Sequence, residues 1–376
     1  NNIMDHNFLW RWWRSVDQQT VIALAILFGF SLMLVTTASP AVASRIGLDE
    51  SYFAIRQVFY LGASAIIILI LSCFDKKWIG RVALLGFCIS LILLVLVKFF
   101  GYEVKGAKRW INLGGFSMQP SEFVKPFFAV VTAWILSLKK YEDFPGFSIA
   151  LLLYVIVAAI LITQPDFGMF IMISAVWGIQ LFVSGMPIIW IIMATVVGMV
   201  GVTMAYIILP HVAQRINNFL DPSSGENYQV GKSIMAFENG GLYGRGPGEG
   251  TIKQVLPDSH TDFIFAVAGE EFGAIVCMLI AIIFAFIVIR GIIKLLHEED
   301  QYIMLAVTGI LAQFGLQSAI NMGVTLNLLP TKGMTLPFIS YGGSSTLAIG
   351  IAIGMLLALT KKQPNVKKYQ INPELL

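Results

Sequence analysis

The chain has 376 residues, 57% of them hydrophobic and 12% charged, with a formal net charge of +3. That small charge, with no long basic tract, argues against a nucleic-acid partner, and repeated uncharged runs about as long as a bilayer is thick exclude a water-soluble fold. Cys73, Cys88 and Cys277 lie within or at the ends of apolar runs without paired spacing, which points to packing rather than to disulfides or a metal site.

Residues 1–20 form a charged N-terminal segment with Trp10, Trp12 and Trp13. Ten apolar spans are expected after it, near 21–40, 55–74, 79–98, 121–138, 147–164, 167–184, 188–209, 262–290, 302–324 and 339–360. The first span has no small-residue cleavage pattern behind it and is expected to be retained. The pattern is that of an all-α polytopic membrane protein, one domain over 1–376, with a large extracytoplasmic loop at 210–261 between the seventh and eighth helices and a tail at 361–376. Ten crossings place both termini on one side. The Lys/Arg bias makes that side cytoplasmic, through Arg11, Arg14, Lys76, Lys77, Arg81, Lys139, Lys140, Arg290, Lys294 and the lysines of the tail. The outer loops nevertheless keep Arg45, Lys105, Lys108, Arg109, Arg215, Lys232, Arg245, Lys253 and Lys332, either as solvated loop charge or for an anionic ligand on that face.

Polar residues interrupt the apolar pattern at five places. In the loop at 99–120, Lys105, Lys108 and Arg109 precede Trp110; the cations suit phosphate, and the indole suits either a sugar face or the headgroup interface. The fourth span begins Gln119-Pro-Ser-Glu-Phe-Val-Lys125 and has too few uncharged residues after it to cross the hydrocarbon, so its polar start must dip inward. Glu122 and Lys125, three residues apart, share a face there, as a packing ion pair or as part of a cavity wall. Asp166, in Gln164-Pro-Asp-Phe-Gly168, is either a helix cap or another carboxylate at the same depth.

The loop at 210–261 has eight glycines between Gly225 and Gly250 and reads as disordered or as a segment that bends over a ligand. It ends in Leu256-Pro-Asp-Ser-His-Thr-Asp-Phe263. Asp262 either caps the eighth helix or does chemistry, and Glu270 and Glu271 supply more acidity than capping requires, which implies a cavity opening outward. Finally, Leu329-Pro-Thr-Lys-Gly-Met-Thr-Leu-Pro337 puts Lys332 in a broken loop ahead of Ser340-Tyr-Gly-Gly-Ser-Ser345. Gly244-Arg-Gly-Pro-Gly-Glu-Gly250 lacks both the preceding strand and the Gly-Lys-Ser/Thr ending of a phosphate loop.

Taken with Lys108-Arg-Trp110, these motifs, in this order, resemble those of the SEDS family of polytopic peptidoglycan glycosyltransferases along the whole chain. Asn321-Met-Gly323 and the segment 329–337 are similar to the division-type branch more than to the elongation-type branch. Pro247 departs from the apolar residue expected there. The resemblance implies an enzyme that polymerises lipid II into β-1,4-linked glycan at the outer face of the bacterial cytoplasmic membrane, with release of undecaprenyl pyrophosphate, for septal wall synthesis. It assigns Asp262 as catalytic base and Lys105, Lys108, Arg109 and Lys332 as groups that offset the leaving pyrophosphate. Trp110, Glu122, Lys125, Asp166, Ser233, His260 and Ser340 complete the substrate-binding candidates. A class B penicillin-binding protein and other divisome proteins are the implied partners. A divalent cation, magnesium or manganese, could bridge pyrophosphate and carboxylates, but such sites have no diagnostic spacing. The competing readings are a lipid II flippase, which needs polar groups continuing to the cytoplasmic side, an elongation-type polymerase, and a noncatalytic scaffold.

Overall fold

The computed structural model describes residues 8–104, 107–138, 144–208, 210, 212–214, 217, 225–330 and 333–361. A short helix α1 (Phe8–Ser15) leads into α2 (Gln18–Arg45), α3 (Tyr52–Cys73) and α4 (Lys76–Phe100). Strands β1 (Tyr102–Val104), β2 (Ala107–Leu113) and β3 (Phe116–Met118) follow. The remaining helices are α5 (Pro120–Ser137), α6 (Gly146–Thr163), α7 (Phe167–Val183), α8 (Ile188–Ile208), α9 (Gly225–Gly240), α10 (Ile264–Leu295), α11 (Gln301–Thr325) and α12 (Gly343–Leu359).

A helix occupies each of the ten expected apolar stretches, and seven of them are long and apolar enough to cross a membrane by length and composition. The chain is a multi-pass membrane protein. Helix starts follow local chemistry. Asp17, Asp166 and Asp300 cap α2, α7 and α11 by accepting backbone N–H groups, and Pro120 opens α5, where its missing N–H costs no helical bond.

Helix α5 is the axis of the bundle, buried along almost its whole length and packed by α4, α6, α11 and α12. Helix α12 meets α3 through a small-residue seam. A Cβ at Gly350 would collide with Ser64 Oγ, and one at Gly354 would stand 2.9 Å from Leu71 Cβ, so the backbones approach as closely as glycine permits. Helix α8 buries none of its residues against protein and presents its apolar side chains outward, to hydrocarbon in a membrane.

Three expectations change. The loop at 99–120 contains an antiparallel three-stranded sheet in the order β1-β2-β3. Its second hairpin pairs Ile111 with Met118 and Leu113 with Phe116, and turns on Gly114 and Gly115, both at positive φ, as a two-residue primed turn requires. The loop at 210–261 includes α9, and it has apolar packing after all: Val230, Ala236, Ile252, Leu256 and Phe263 cluster with Ala266 and Val324. Lastly, the eighth and tenth helices start later than the apolar runs suggest, at Ile264 and Gly343. Residues 257–263 are turns and 333–342 an irregular segment with a turn at 337–339 instead, and the site lies between them.

Candidate functional site

The turn before α10 carries Asp262. The turn ends at Phe263, the cap position of α10, whose own side chain makes no capping bond. Asp262 is partly exposed, and the position a Cβ would take on Gly333 is 3.7 Å from its Oδ2. Its own carbonyl accepts from Asn321 Nδ2 at 2.9 Å. A carboxylate at a strand-free turn, reachable from outside yet anchored through its backbone, has the access and the fixed base that proton transfer needs.

Successive turns of α11 carry a polar stripe to this point. Gln313, Gln317 and Asn321 recur every four residues, on one face of the helix and all buried. Gln317 Oε1 accepts from Lys125 Nζ at 2.8 Å, while Gln317 Nε2 donates to Thr335 O at 3.1 Å. Lys125 also pairs with Glu122 at 2.7 Å on α5, both side chains nearly excluded from solvent. On the far side, Arg109 of β2 donates to Pro165 O at 3.1 Å and lies 3.8 Å from Asp166, which caps α7 through Met169 N. The motifs at 122–125 and 262 are thus tied to one polar stripe of α11, and those at 109 and 166 to each other.

Strand alternation separates the two neighbouring cations. Arg109 and Ile111 point to the protein side of β2, whereas Lys108 and Asn112 are exposed on the other face with half-buried Trp110. Lys105 and Lys332 lie outside the described residues. Ser233 is buried and donates to Thr325 O at 2.7 Å, joining α9 to α11. Ser340 is buried too; its hydroxyl accepts from Leu336 N at 2.8 Å and donates to Thr261 O at 2.6 Å.

His260 is packed between Phe53 and Tyr341, with ring centroids 4.6 and 5.4 Å away. Burial lowers its pKa to about 4, helped by Arg45 and opposed by Asp258, so it is neutral at pH 7 and offers no charge to an anion. Because the unfolded chain takes up a proton near 6.5, this residue's contribution is full above that value and shrinks as pH falls toward 4, by up to about 3 kcal/mol. Thermal unfolding in detergent between pH 7.5 and 5 should show that slope. A His260→Phe variant should lose this part of it.

Glu270 and Glu271 do not line an outward cavity. Both are 1% exposed. Glu270 accepts from Thr251 N at 3.1 Å and Ile252 N at 3.0 Å; Glu271 accepts from Gly248 N at 3.1 Å and pairs with Lys253 at 2.6 Å. They hold the segment after α9 onto α10, which kinks at Gly273 (φ 81°) to admit it. Glycines make that approach possible, since a Cβ on Gly240 would overlap Gly269 O and one on Gly244 would overlap Glu271 O. Among the described outer cations, four have internal partners: Lys253 with Glu271, Arg109 beside Asp166, Arg245 4.0 Å from Glu270, and Arg45 on Leu256 O. A separate hollow of about 590 Å³ lies beside Arg45, Glu50, Pro247 and Lys253, away from the candidate residues. No group of three or more His, Cys, Asp or Glu that could hold a metal occurs among the described residues. Glu122 and Asp166 already face Lys125 and Arg109, so these residues do not form a ready cation site.

Sequence reasoning passed over Gln317, treated Asn321 only as a marker of the branch, and gave Lys253 no partner. The four-residue recurrence of amides along an apolar helix was the available signal for the first two.

Exchanging the charges at Glu122 and Lys125 should be harmful. It puts a cation among the free N–H groups of the first turn of α5 and faces a carboxylate toward Gln317 Oε1. The expected cost is about 2–3 kcal/mol, the scale of a charged hydrogen bond, read as a lower unfolding midpoint and reduced activity. Unchanged stability and activity would show that the orientation of this pair is immaterial.

Residues 18–365 match the family described as "Cell cycle protein", defined by FtsW, RodA and SpoVE. The chain is 41% identical over 362 residues to the probable peptidoglycan glycosyltransferase FtsW of Caulobacter vibrioides, covering 96% of this chain and 93% of that one. It is 36% identical over 369 residues to the protein of the same name from Coxiella burnetii, covering 93% and 98%. Two solved structures share the fold. A chain of a peptidoglycan synthase complex studied for its coordination of polymerization and crosslinking superposes with a TM-score of 0.78 at 24% identity, over 93% of this chain and 98% of that one. The rod shape determining protein RodA of Thermus thermophilus gives 0.68 at 24% identity, over 93% and 97%.

Proposed function

The chain belongs to the FtsW/RodA/SpoVE family of cell cycle proteins, and on that premise we propose how its polar groups work. The protein is a division-type peptidoglycan glycosyltransferase, in keeping with the FtsW names of its relatives. It polymerises lipid II at the outer face of the cytoplasmic membrane and acts at the septum. Ten crossings, both termini in the cytoplasm and a single domain over 1–376 accompany this reading.

The observation that carries it is the setting of Asp262: a partly exposed carboxylate whose backbone is gripped by Asn321, at the end of a buried polar stripe. As general base, Asp262 takes the proton of the acceptor sugar hydroxyl while that oxygen bonds to the anomeric carbon of the donor. The bond from that carbon to the pyrophosphate oxygen breaks, the electron pair leaves with undecaprenyl pyrophosphate, and the anomeric centre inverts. Arg109, whose contact with Asp166 is a weak one at 3.8 Å, is proposed to balance the developing charge. Lys105 and Lys332 are proposed for the same task. Lipid II suits an enzyme built this way, because its polyprenyl tail stays in hydrocarbon while sugar and phosphates meet the polar groups. A class B penicillin-binding protein is the proposed partner, with further divisome proteins.

Purified complex with that partner, given lipid II, should form glycan polymer and release undecaprenyl pyrophosphate. Transfer of lipid II across liposomes without any polymer would replace this reading with transport.

A further inference from the structure

Three consecutive carbonyls of the segment that carries Asp262 are each held from another part of the chain. Tyr341 N donates to His260 O at 2.9 Å, Ser340 Oγ to Thr261 O at 2.6 Å, and Asn321 Nδ2 to Asp262 O at 2.9 Å. The donors come from two elements, α11 and the turn before α12. That turn is itself braced. Gln57 of α3, fully buried, donates to Phe338 O and Ser340 O, each at 3.3 Å, and Ser31 of α2 donates to Ile339 O at 3.2 Å. Asn321 Nδ2 donates a second bond, to Met334 O at 2.7 Å, so one amide fixes the Asp262 segment relative to the 333–336 segment beside it.

Resting on the assignment of Asp262 as general base, we infer that Asn321 is a positioning residue that sets the reach of the Asp262 carboxylate by holding its peptide plane. Residues 257–263 are turns with no ladder of their own, and rotation of the 262–263 peptide would swing the Cα–Cβ bond. A misplacement of about 1 Å at reacting groups costs about 100-fold in rate. The donor end of the amide does this. Both bonds leave from Nδ2, while the buried Oδ1 has no hydrogen-bond partner among the described residues. Asn321→Asp keeps the shape but aims an acceptor at two carbonyl oxygens; Asn321→Ala merely releases them.

The test uses the complex with the penicillin-binding partner and lipid II, comparing wild type, Asn321→Ala, Asn321→Asp, Ser340→Ala and Asp262→Asn. Both Asn321 variants should lose about 10- to 100-fold in kcat, Asp more than Ala, with KM within twofold and the folded fraction unchanged. A loss of kcat that only tracks the folded fraction, or a raised KM at normal kcat, overturns the positioning role. So does normal kcat in Asn321→Ala when Asp262→Asn is inactive. Wild-type kcat in Asp262→Asn removes the base and its positioning together. Should neither Asn321 variant fold, Ser340→Ala carries the test: the same split in milder form supports the clamp, and unchanged kcat overturns it.

Discussion

Asp262→Asn is expected to lower lipid II polymerisation by about 10²- to 10⁴-fold, the usual contribution of a general base, while leaving folding and lipid II binding intact. The substitution keeps the size of the side chain and the Asp262 carbonyl that Asn321 holds. What disappears is the ability to accept a proton at neutral pH. The measurement is the initial rate of polymer formation by the folded complex, with substrate binding followed separately. A variant that polymerises at the wild-type rate would return Asp262 to a turn-forming role and move the base elsewhere. Asp262→Glu should recover only part of the rate, since one more methylene moves the carboxylate from the place its anchored backbone sets.

Lys253→Met is expected to cost about 3–5 kcal/mol, because it strands Glu271 as a buried, uncompensated charge. Lys253 Nζ lies 2.6 Å from Glu271 Oε1 and also donates to Thr37 O at 3.0 Å and Gly248 O at 2.9 Å. One ammonium therefore ties together α2, the segment after α9 and the kink of α10. The loss should appear first as release of residues 241–256, measured by limited proteolysis and hydrogen exchange, and then as a lower unfolding midpoint. Pairing Lys253→Met with Glu271→Leu should restore most of the stability, since an apolar pair avoids the desolvation of both charges. If the single variant resists protease as wild type does, Glu271 is satisfied by Gly248 N and by solvent, and the ion pair is dispensable.

These two residues show how differently the sequence informs. Asp262 stood out because a carboxylate beside an apolar helix is costly without a task. Glu270 and Glu271 stood out for the same reason, yet they hold backbone N–H groups of a loop about twenty residues earlier in the chain. Both uses look alike in a string of residues. Which one applies depends on what the fold lays over the carboxylate. The sheet at 102–118 was legible in part, through Gly114-Gly115 between short apolar stretches. It was hidden by its shortness and by the weight given to its cations, which alternation then sends to opposite faces.

The sequence by itself determined the membrane class, the helical stretches, the family and the segments that carry polar chemistry. Each follows from local quantities: the length of an apolar run, the cost of charge in hydrocarbon, the order of motifs. Only the tertiary structure decided which polar groups meet. Lys125 reaches Gln317 on α11, Arg109 lies beside Asp166, and Asn321 grips the Asp262 backbone. Such pairs lie 57 to 192 residues apart, and a buried donor takes whatever acceptor the packing of helices brings to it.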